Sequence, residues 1–213
     1  MKTLYHGTSA AFIDAIMRDG IRPRLDTGGS NWEHTVESRA DAVYLTSAYP
    51  FYFAEQACKN DEDLAIIELG NINRSFLIAD EDVLAQVGTK EHRQWRELTL
   101  FERTRKYREV SHRYSGEATL DLMGTCAHLG MIPPHAITRI AIIPRKEVCG
   151  LIMAVFDPFI TVNNYQLLGA QYDDSAQWLF GDIPVCELNE RAILPDGIQI
   201  IMANQYQLKE KYA

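Results

Sequence analysis

The first residues of the chain that could do chemistry lie in LYHGTS, residues 4–9. The ring of His6 can donate a hydrogen bond from one nitrogen and accept one at the other, and the hydroxyls of Thr8 and Ser9 can do both. Gly7 lets a ligand or a second backbone approach closely. These residues could hold a polar, planar ligand against exposed backbone. The alternative is a structural histidine beside an ordinary turn.

A second group of residues with binding chemistry is aromatic. Tyr44 lies in AVYLTS, residues 42–47, which the pattern predicts to be a strand. Aromatic faces stack on flat heterocycles, and a positively charged ring gains further attraction from them. Several of these rings are equally expected to pack a helix against a sheet. The rings that follow Tyr44 are Tyr49, Phe51, Tyr52 and Phe53.

The two segments together resemble the ADP-ribosyltransferase fold, in the branch that uses a histidine, a tyrosine and often a glutamate. The resemblance covers residues 3–58: LYHGTS, an amphipathic helix, GI, a variable loop, and then VYLTSA with an aromatic–alanine step. It implies an α+β protein with split mixed or antiparallel β-sheets and flanking helices. It also implies NAD as co-substrate.

The same resemblance implies roles for individual residues. His6 is expected to hold the ribose in the adenosine half of NAD, and the backbone of Gly7 the nicotinamide carboxamide. Tyr44 and a second ring, Tyr52 or Phe53, are expected to sandwich the nicotinamide. The complete set of residues expected to contact NAD is His6, Gly7, Thr8, Tyr44, Tyr52 and Phe53.

A catalytic carboxylate is harder to place. In the family it begins a later strand that precedes an IP turn, and MIPPHAITRIAII, residues 131–143, resembles that closing pattern. The corresponding position falls near Thr125 and Cys126, where the chain has no glutamate. Glu117 is the candidate catalytic residue beside His6 and Tyr44. Two alternatives remain: Glu117 is an ordinary residue at a helix N-terminus, favoured by the helix dipole, or the protein lacks this carboxylate.

Residues 90–113 differ in charge from the rest of the chain. They hold eight basic and four acidic residues, a net charge of +4 in a chain whose net charge is −8. Basic residues interleaved with rings are typical of single-stranded nucleic-acid tracks, and the alternative is a solvated helix with i,i+4 ion pairs. The rings are Trp95, Phe101, Tyr107 and Tyr114, and the candidate nucleic-acid contacts are Arg103, Arg105, Lys106 and Arg108.

These features predict NAD-dependent transfer of ADP-ribose to a macromolecule, with a nucleic-acid base as the first expected acceptor. The resemblance extends to stand-alone microbial toxins that modify DNA or RNA, which implies a neutralising antitoxin protein as a partner. Three alternatives stay open: transfer to a protein side chain, an RNA 2′-phosphotransferase, and a non-catalytic module that binds NAD or ADP-ribose. The phosphotransferases normally carry an extra N-terminal lobe before this motif, whereas this sequence starts at the motif. We therefore rank the phosphotransferase alternative low.

The bulk composition sets limits on these readings. The 213 residues are 46% hydrophobic and 23% charged, which predicts a single globular domain over residues 1–213. No apolar run has the length of a signal peptide or a membrane span, so a cytoplasmic protein without membrane contact is expected. The four cysteines include no C-x-x-C pair and the histidines lack zinc spacing, so no metal site is expected.

The elements that must position these residues follow from periodicity. Residues 10–19 are predicted to form a helix with Ser9 as N-cap and Gly20 at its end. Its expected apolar face is Phe12, Ile13, Ile16 and Met17. A helix over 50–58, a helical 90–113 and a segment 117–130 that is ambiguous between helix and strand are also predicted. Strands are predicted at 2–8, 42–47, 63–70, 137–144, 151–156, 184–188 and 196–202.

Overall fold

The protein is described from a computed structural model, which covers residues 2–28, 36, 38–48, 50–59, 61–146, 180 and 197–206. Within these residues the chain is α+β, as predicted, with seven strands and six α-helices whose bounds are given below, and residues 203–206 are also helical. The strands are β1 Leu4–Ser9, β2 Ala42–Thr46, β3 Leu64–Leu69, β4 Leu77–Ile78, β5 Thr125–Leu129, β6 Ile137–Ile143 and β7 Gln199–Met202. The helices are α1 Ile13–Asp19, α2 Arg24–Thr27, α3 Pro50–Ala57, α4 Glu81–Val87, α5 Leu100–Val110 and α6 Gly116–Met123.

The chain divides into two compact units. Unit 1 comprises Met1–Gly20, Thr46–Ile72 and Pro133–Ala213, and unit 2 comprises Ile21–Leu45 and Asn73–Ile132. Both units are built from separate stretches of sequence, so each depends on contacts between residues that are distant along the chain.

Unit 1 contains antiparallel strands in the order β1-β3-β6-β7. β3 is buried along its whole length, as its nearly continuous apolar sequence LAIIEL requires. Glu68 is the one charged residue of this strand. Its carboxylate is paired with the guanidinium of Arg139 and accepts a hydrogen bond from the hydroxyl of Thr138. A buried charge is tolerated here because it has both a counter-ion and hydrogen bonds.

Unit 2 contains β4, β5 and β2 in that order, with β4 antiparallel to β5. Three of its helices begin at residues whose side chains accept hydrogen bonds from the first turn: Asp80 before α4, Thr99 before α5 and Ser115 before α6. One core cluster of this unit consists of Ala79, Leu84, Ala85 and the fully buried Tyr107. Short polar side chains at helix starts explain why α4, α5 and α6 begin where they do.

The predicted helix over 10–19 is confirmed in its position but not in all of its face. Ser9 caps it, and it ends at Gly20, whose φ of 87° is favourable only for glycine. Ile13, Ile16 and Met17 are buried, whereas Phe12 is 53% exposed. The first turn, Ala10–Phe12, is a 3-10 helix with three residues per turn, and this turns Phe12 away from the buried face.

Two further segments differ from expectation in detail. The predicted helix over 90–113 is broken into a 3-10 stretch, Lys90–Glu97, then α5, then a 3-10 turn, Ser111–Arg113. The ambiguous segment 117–130 contains both predicted structures, α6 and then β5, separated by Gly124 with a φ of 73°. The strands predicted at 151–156 and 184–188 lie outside the described residues.

Candidate functional site

His6 is the one residue of β1 that reaches the surface. The other five residues of the strand are buried, including Thr8, which is 7% exposed. Residues on the two sides of His6 enter the core of unit 1, and the strand is paired along its length with β3, with His6 opposite Ile67. The predicted histidine therefore lies on a strand paired along its length and is itself partly exposed.

Gly7 is a close-packing position between β1 and α3. A Cβ atom added there would lie 2.4 Å from the backbone nitrogen of Ala54 and 2.5 Å from the carbonyl oxygen of Pro50. Both atoms belong to the backbone of α3, so neither can move aside as a side chain would. The glycine that the sequence marks as a point of close approach is in contact with a helix of its own unit.

The two candidate stacking rings both lie on α3. Tyr52 is 49% exposed and Phe53 is partly exposed, and their ring centroids are 5.5 Å apart in an edge-to-face arrangement. Phe51 is buried in the core, which is the packing role expected for some of these rings. Tyr49 lies outside the described residues. Tyr52 and Phe53 lie on α3, the helix that packs against β1 at Gly7. Because successive side chains of a strand point to opposite faces of the sheet, the side chains of His6 and Thr8 leave β1 on the face away from this helix.

Tyr44 is the one residue of β2 that is not buried. Its hydroxyl accepts a hydrogen bond from the backbone N–H of Arg39 at 2.9 Å and donates one to Oε1 of Glu81 at 2.5 Å. The ring is partly exposed while the hydroxyl is enclosed. Burial of the hydroxyl, followed by the charges of Glu81 and Asp80, raises the pKa of Tyr44 well above its ordinary value, so this phenol stays protonated.

Glu81, the partner of Tyr44, was not among the predicted site residues. It is the first residue of α4, and its side chain is 2% exposed. Its second carboxylate oxygen, Oε2, is buried and has no hydrogen-bond partner among the described residues. Burial, followed by the charge of Asp80, raises the pKa of Glu81 to about 7. The same two causes raise the pKa of Asp82 to about 6.

Arg108 lies beside this carboxylate. Its Nε is 3.7 Å from Oε1 of Glu81, which is beyond hydrogen-bonding distance, so burial outweighs the guanidinium in setting the pKa of Glu81. Nε and Nη2 of Arg108 are buried without a hydrogen-bond partner in the described part of the chain. Two of the nitrogens of this predicted nucleic-acid residue thus lie inside unit 2, beside Glu81.

Glu117, the predicted catalytic carboxylate, lies in the first turn of α6. Its Oε1 is 2.5 Å from Nε of Arg74, and its side chain is 47% exposed. The position near Thr125 that the family pattern points to is buried, and the Thr125 side chain hydrogen-bonds to the carboxylate of Asp80. The structure therefore places Glu117 in an ion pair at the surface of unit 2, while the buried carboxylates Asp80 and Glu81 lie at the start of α4.

Most of the aromatic side chains in residues 90–114 point inward. Trp95 is stacked on His92 with ring centroids 3.8 Å apart, and Nζ of Lys106 lies 5.6 Å from the Trp95 ring. Tyr107 is 1% exposed, and the Tyr114 hydroxyl donates to Glu91. The ring of this group that is exposed is Phe101, at 51%.

The basic residues of α5 divide in the same way. Arg105 and Lys106 are exposed, and the guanidinium of Arg105 lies 6.0 Å from the centroid of the Phe101 ring. Arg103 is partly buried, and its Nε is enclosed without a hydrogen-bond partner among the described residues. Of the four predicted nucleic-acid contacts, Arg105 and Lys106 are the two that present charge fully to solvent.

The described residues contain no cluster of three or more His, Cys, Asp or Glu side chains that could hold a metal ion. In the same part of the chain, none of the helices combines the length and the apolar character needed to cross a membrane. No protein-family model matches the chain, and no curated protein matches it in sequence.

Proposed function

We propose that this protein is an NAD-dependent ADP-ribosyltransferase. The observation that carries the proposal concerns β1 and β2, the two strands that the resemblance assigns to NAD. In each strand a single residue reaches the surface, His6 in β1 and Tyr44 in β2, and these are the residues that the resemblance assigns to NAD. His6 and Tyr44 are thus the least buried residues of their strands, although Tyr44 also packs against the cluster of Ala42, Ile78 and Ala127.

The proposed reaction breaks the bond between C1′ of the ribose and the nicotinamide nitrogen. The electron pair leaves on nicotinamide, a nucleophile of the acceptor forms the new bond to C1′, and that nucleophile loses a proton. His6 binds ribose hydroxyls, and the ring of Tyr44 contacts the nicotinamide. Glu117 is the proposed proton acceptor, a role typically worth about 10²–10⁴ in rate. Its partly exposed carboxylate is held by Arg74 and remains accessible to solvent.

The first test follows nicotinamide release from NAD by chromatography, with single-stranded DNA, RNA or a cell lysate as acceptor. We expect His6→Ala and Tyr44→Ala each to lower kcat/KM by about tenfold to a hundredfold. Each substitution removes one or two contacts with NAD, and each contact is worth about a factor of ten. His135→Ala, which changes an exposed histidine of unit 1, is the matched control. Circular dichroism verifies that each variant is folded.

Full activity in both the His6 and the Tyr44 variants would contradict the site assignment. Wild-type protein that binds NAD but releases no nicotinamide with any acceptor would instead favour the non-catalytic module. Wild-type protein that acts only on RNA bearing a 2′-phosphate would favour the phosphotransferase.

We propose single-stranded nucleic acid as the acceptor, on the exposed face of α5 where Arg105 lies against the exposed ring of Phe101. This arrangement offers charge for phosphate and one ring for a base. Because Trp95, Tyr107 and Tyr114 are occupied by packing or hydrogen bonds, the proposed track has fewer stacking rings than the sequence indicates. Binding by this face therefore depends mainly on charge, and hence on salt.

The double variant Arg105→Glu with Lys106→Glu tests this acceptor. We expect it to lower transfer to nucleic acid relative to the acceptor-independent release of nicotinamide. The slope of log K against log salt is expected to fall in magnitude by about 1.4, since each single-strand phosphate contact contributes about 0.7. Arg22→Glu with Lys59→Glu makes the same change in net charge at exposed positions outside the basic segment. An unchanged salt slope and unchanged transfer would favour a protein acceptor.

A further inference from the structure

We propose that Glu81 and Arg108 are positioning residues for Tyr44: Glu81 holds the tyrosine hydroxyl, and Arg108 holds Glu81. This inference rests on the proposed function, because it concerns the ring that is proposed to contact nicotinamide. It assigns a role to two residues of unit 2 that the resemblance leaves without one, and it makes the orientation of Tyr44 depend on α4 and α5.

Two hydrogen bonds at its hydroxyl orient the side chain of Tyr44. A phenol O–H lies in the plane of its ring, so a donor and an acceptor on the oxygen together restrict both the tip of the side chain and the ring plane. The donor is the backbone N–H of Arg39 at 2.9 Å, and the acceptor is Oε1 of Glu81 at 2.5 Å. Tyr44 as a whole is of intermediate burial, and its side chain also packs against the cluster of Ala42, Ile78 and Ala127.

Glu81 is itself buried beside Arg108. Its side chain is 2% exposed, and only one of its oxygens is used by Tyr44, leaving Oε2 buried without a hydrogen-bond partner among the described residues. Nε and Nη2 form the edge of an arginine side chain that binds a carboxylate in bidentate pairs, through two parallel hydrogen bonds. Both nitrogens of Arg108 are buried and lack such a partner in the described residues, and Nε is 3.7 Å from Oε1. Arg108 therefore has unused donors on the guanidinium edge whose Nε lies nearest to Oε1 of Glu81.

Arg39 is tied to the same helix that carries Arg108. Nη1 of Arg39 donates to the carbonyl oxygen of Arg108 at 3.1 Å and to Oγ of Ser111 at 2.9 Å. Arg39 therefore contacts Tyr44 through its backbone and the end of α5 through its side chain. The charged and titratable groups that face Glu81 are Tyr44 from β2, Arg108 from α5, Asp80 and Asp82 from α4, and Arg39.

The first experiment has a readout that does not depend on activity. Protein labelled with ¹³C at Cζ of tyrosine is titrated by NMR, and the Tyr44 signal is assigned by its loss in Tyr44→Phe. We expect this signal to shift with pH as Glu81 ionises near pH 7. The shift is expected to vanish in Glu81→Gln. Its midpoint is expected to move upward in Arg108→Gln and to return toward the wild-type value in Arg108→Lys, because only the lysine restores the positive charge.

The second experiment measures KM for NAD and kcat in a double-mutant cycle. Glu81→Met removes the acceptor oxygen at similar length, and Tyr44→Phe removes the hydroxyl that uses it. Each is expected to raise KM by about tenfold with a smaller change in kcat, the factor typical of one hydrogen bond to a charged group. The double variant is expected to be no worse than either single variant, because both remove the same contact. Glu81→Gln, which keeps an acceptor oxygen, is expected to recover most of the loss caused by Glu81→Met.

The outcomes separate this inference from the proposed function. A Tyr44 signal that does not respond to pH near 7, or additive effects in the cycle, would overturn the positioning role while leaving wild-type nicotinamide release intact. Wild-type protein that shows the titration but has no turnover with NAD would overturn the proposed function and reduce the pair to a structural contact. A vanishing titration in Glu81→Gln together with a non-additive cycle supports both.

Discussion

Replacing Gly7 with alanine is expected to destabilise the protein by about 3 kcal/mol or more, the upper end of what overpacking in a core costs. The added Cβ would stand 2.4 Å from the nitrogen of Ala54 and 2.5 Å from the carbonyl oxygen of Pro50. Because both are backbone atoms of α3, relief requires that β1 and α3 separate. Urea unfolding followed by circular dichroism measures the effect as a lower midpoint at unchanged slope.

Gly88→Ala is the matched control for this substitution. Gly88 has a φ of 70°, and no atom lies within 4 Å of the Cβ that alanine would add, so the cost is backbone strain alone, about 1–2 kcal/mol. The comparison separates steric overlap from loss of glycine's conformational freedom. If Gly7→Ala were as stable as the wild-type protein, the close approach of β1 and α3 would be wrong. The resemblance also assigns the backbone of this glycine to the nicotinamide carboxamide, so the same variant can be tested for NAD binding.

The second large effect is expected in the pH dependence of stability. The pKa of Glu81 is raised to about 7 in the folded protein from 4.5, so the folded state holds a proton that the unfolded state has lost. Between these two values the unfolded state binds fewer protons, and the free energy of unfolding therefore falls as pH rises. A shift of this size corresponds to about 3 kcal/mol lost between pH 4.5 and 7. Above pH 7 this contribution no longer changes.

Glu81→Gln tests the effect, because glutamine cannot ionise and keeps an acceptor for Tyr44. We expect the variant to lose less stability than wild type when the pH rises from 5 to 8, as measured by urea unfolding. Asp82, whose pKa is raised to about 6, contributes in the same direction, so some pH dependence should remain. Glu109→Gln, which changes an exposed glutamate of α5, is the control. Equal pH dependence in Glu81→Gln and wild type would show that Glu81 is not the group responsible.

Local sequence patterns predicted most of the elements that position the candidate site. β1, β2, β3 and β6 were predicted from short apolar runs, and α3 from its initial proline and following aromatic face. These signals are strong because they depend on neighbours within a few residues. Ser9 as N-cap and Gly20 as helix end were equally local, and both are confirmed.

Other features were decided by contacts that no local pattern carries. Asp80, Glu81 and Asp82 together are typical of a helix N-terminus, where acidic residues favour the dipole, and nothing in that pattern indicates a buried partner for a tyrosine 37 positions earlier. Arg108 likewise belongs to a basic run that is typical of a solvated helix. The pairing of Tyr44 with Glu81, and of Glu81 with Arg108, arises because unit 2 brings β2, α4 and α5 together.

The same distinction holds for the rings of the basic segment. The residue pattern predicts which side chains are aromatic or charged and that the segment is largely helical. Long-range packing buries Tyr107 and stacks Trp95 on His92, while Phe101 faces solvent. Composition sets what a side chain can bind, but burial depends on which distant residues pack against it. For this reason the sequence determined the candidate chemistry of His6 and Tyr44, and the fold determined which carboxylate and which guanidinium lie beside Tyr44.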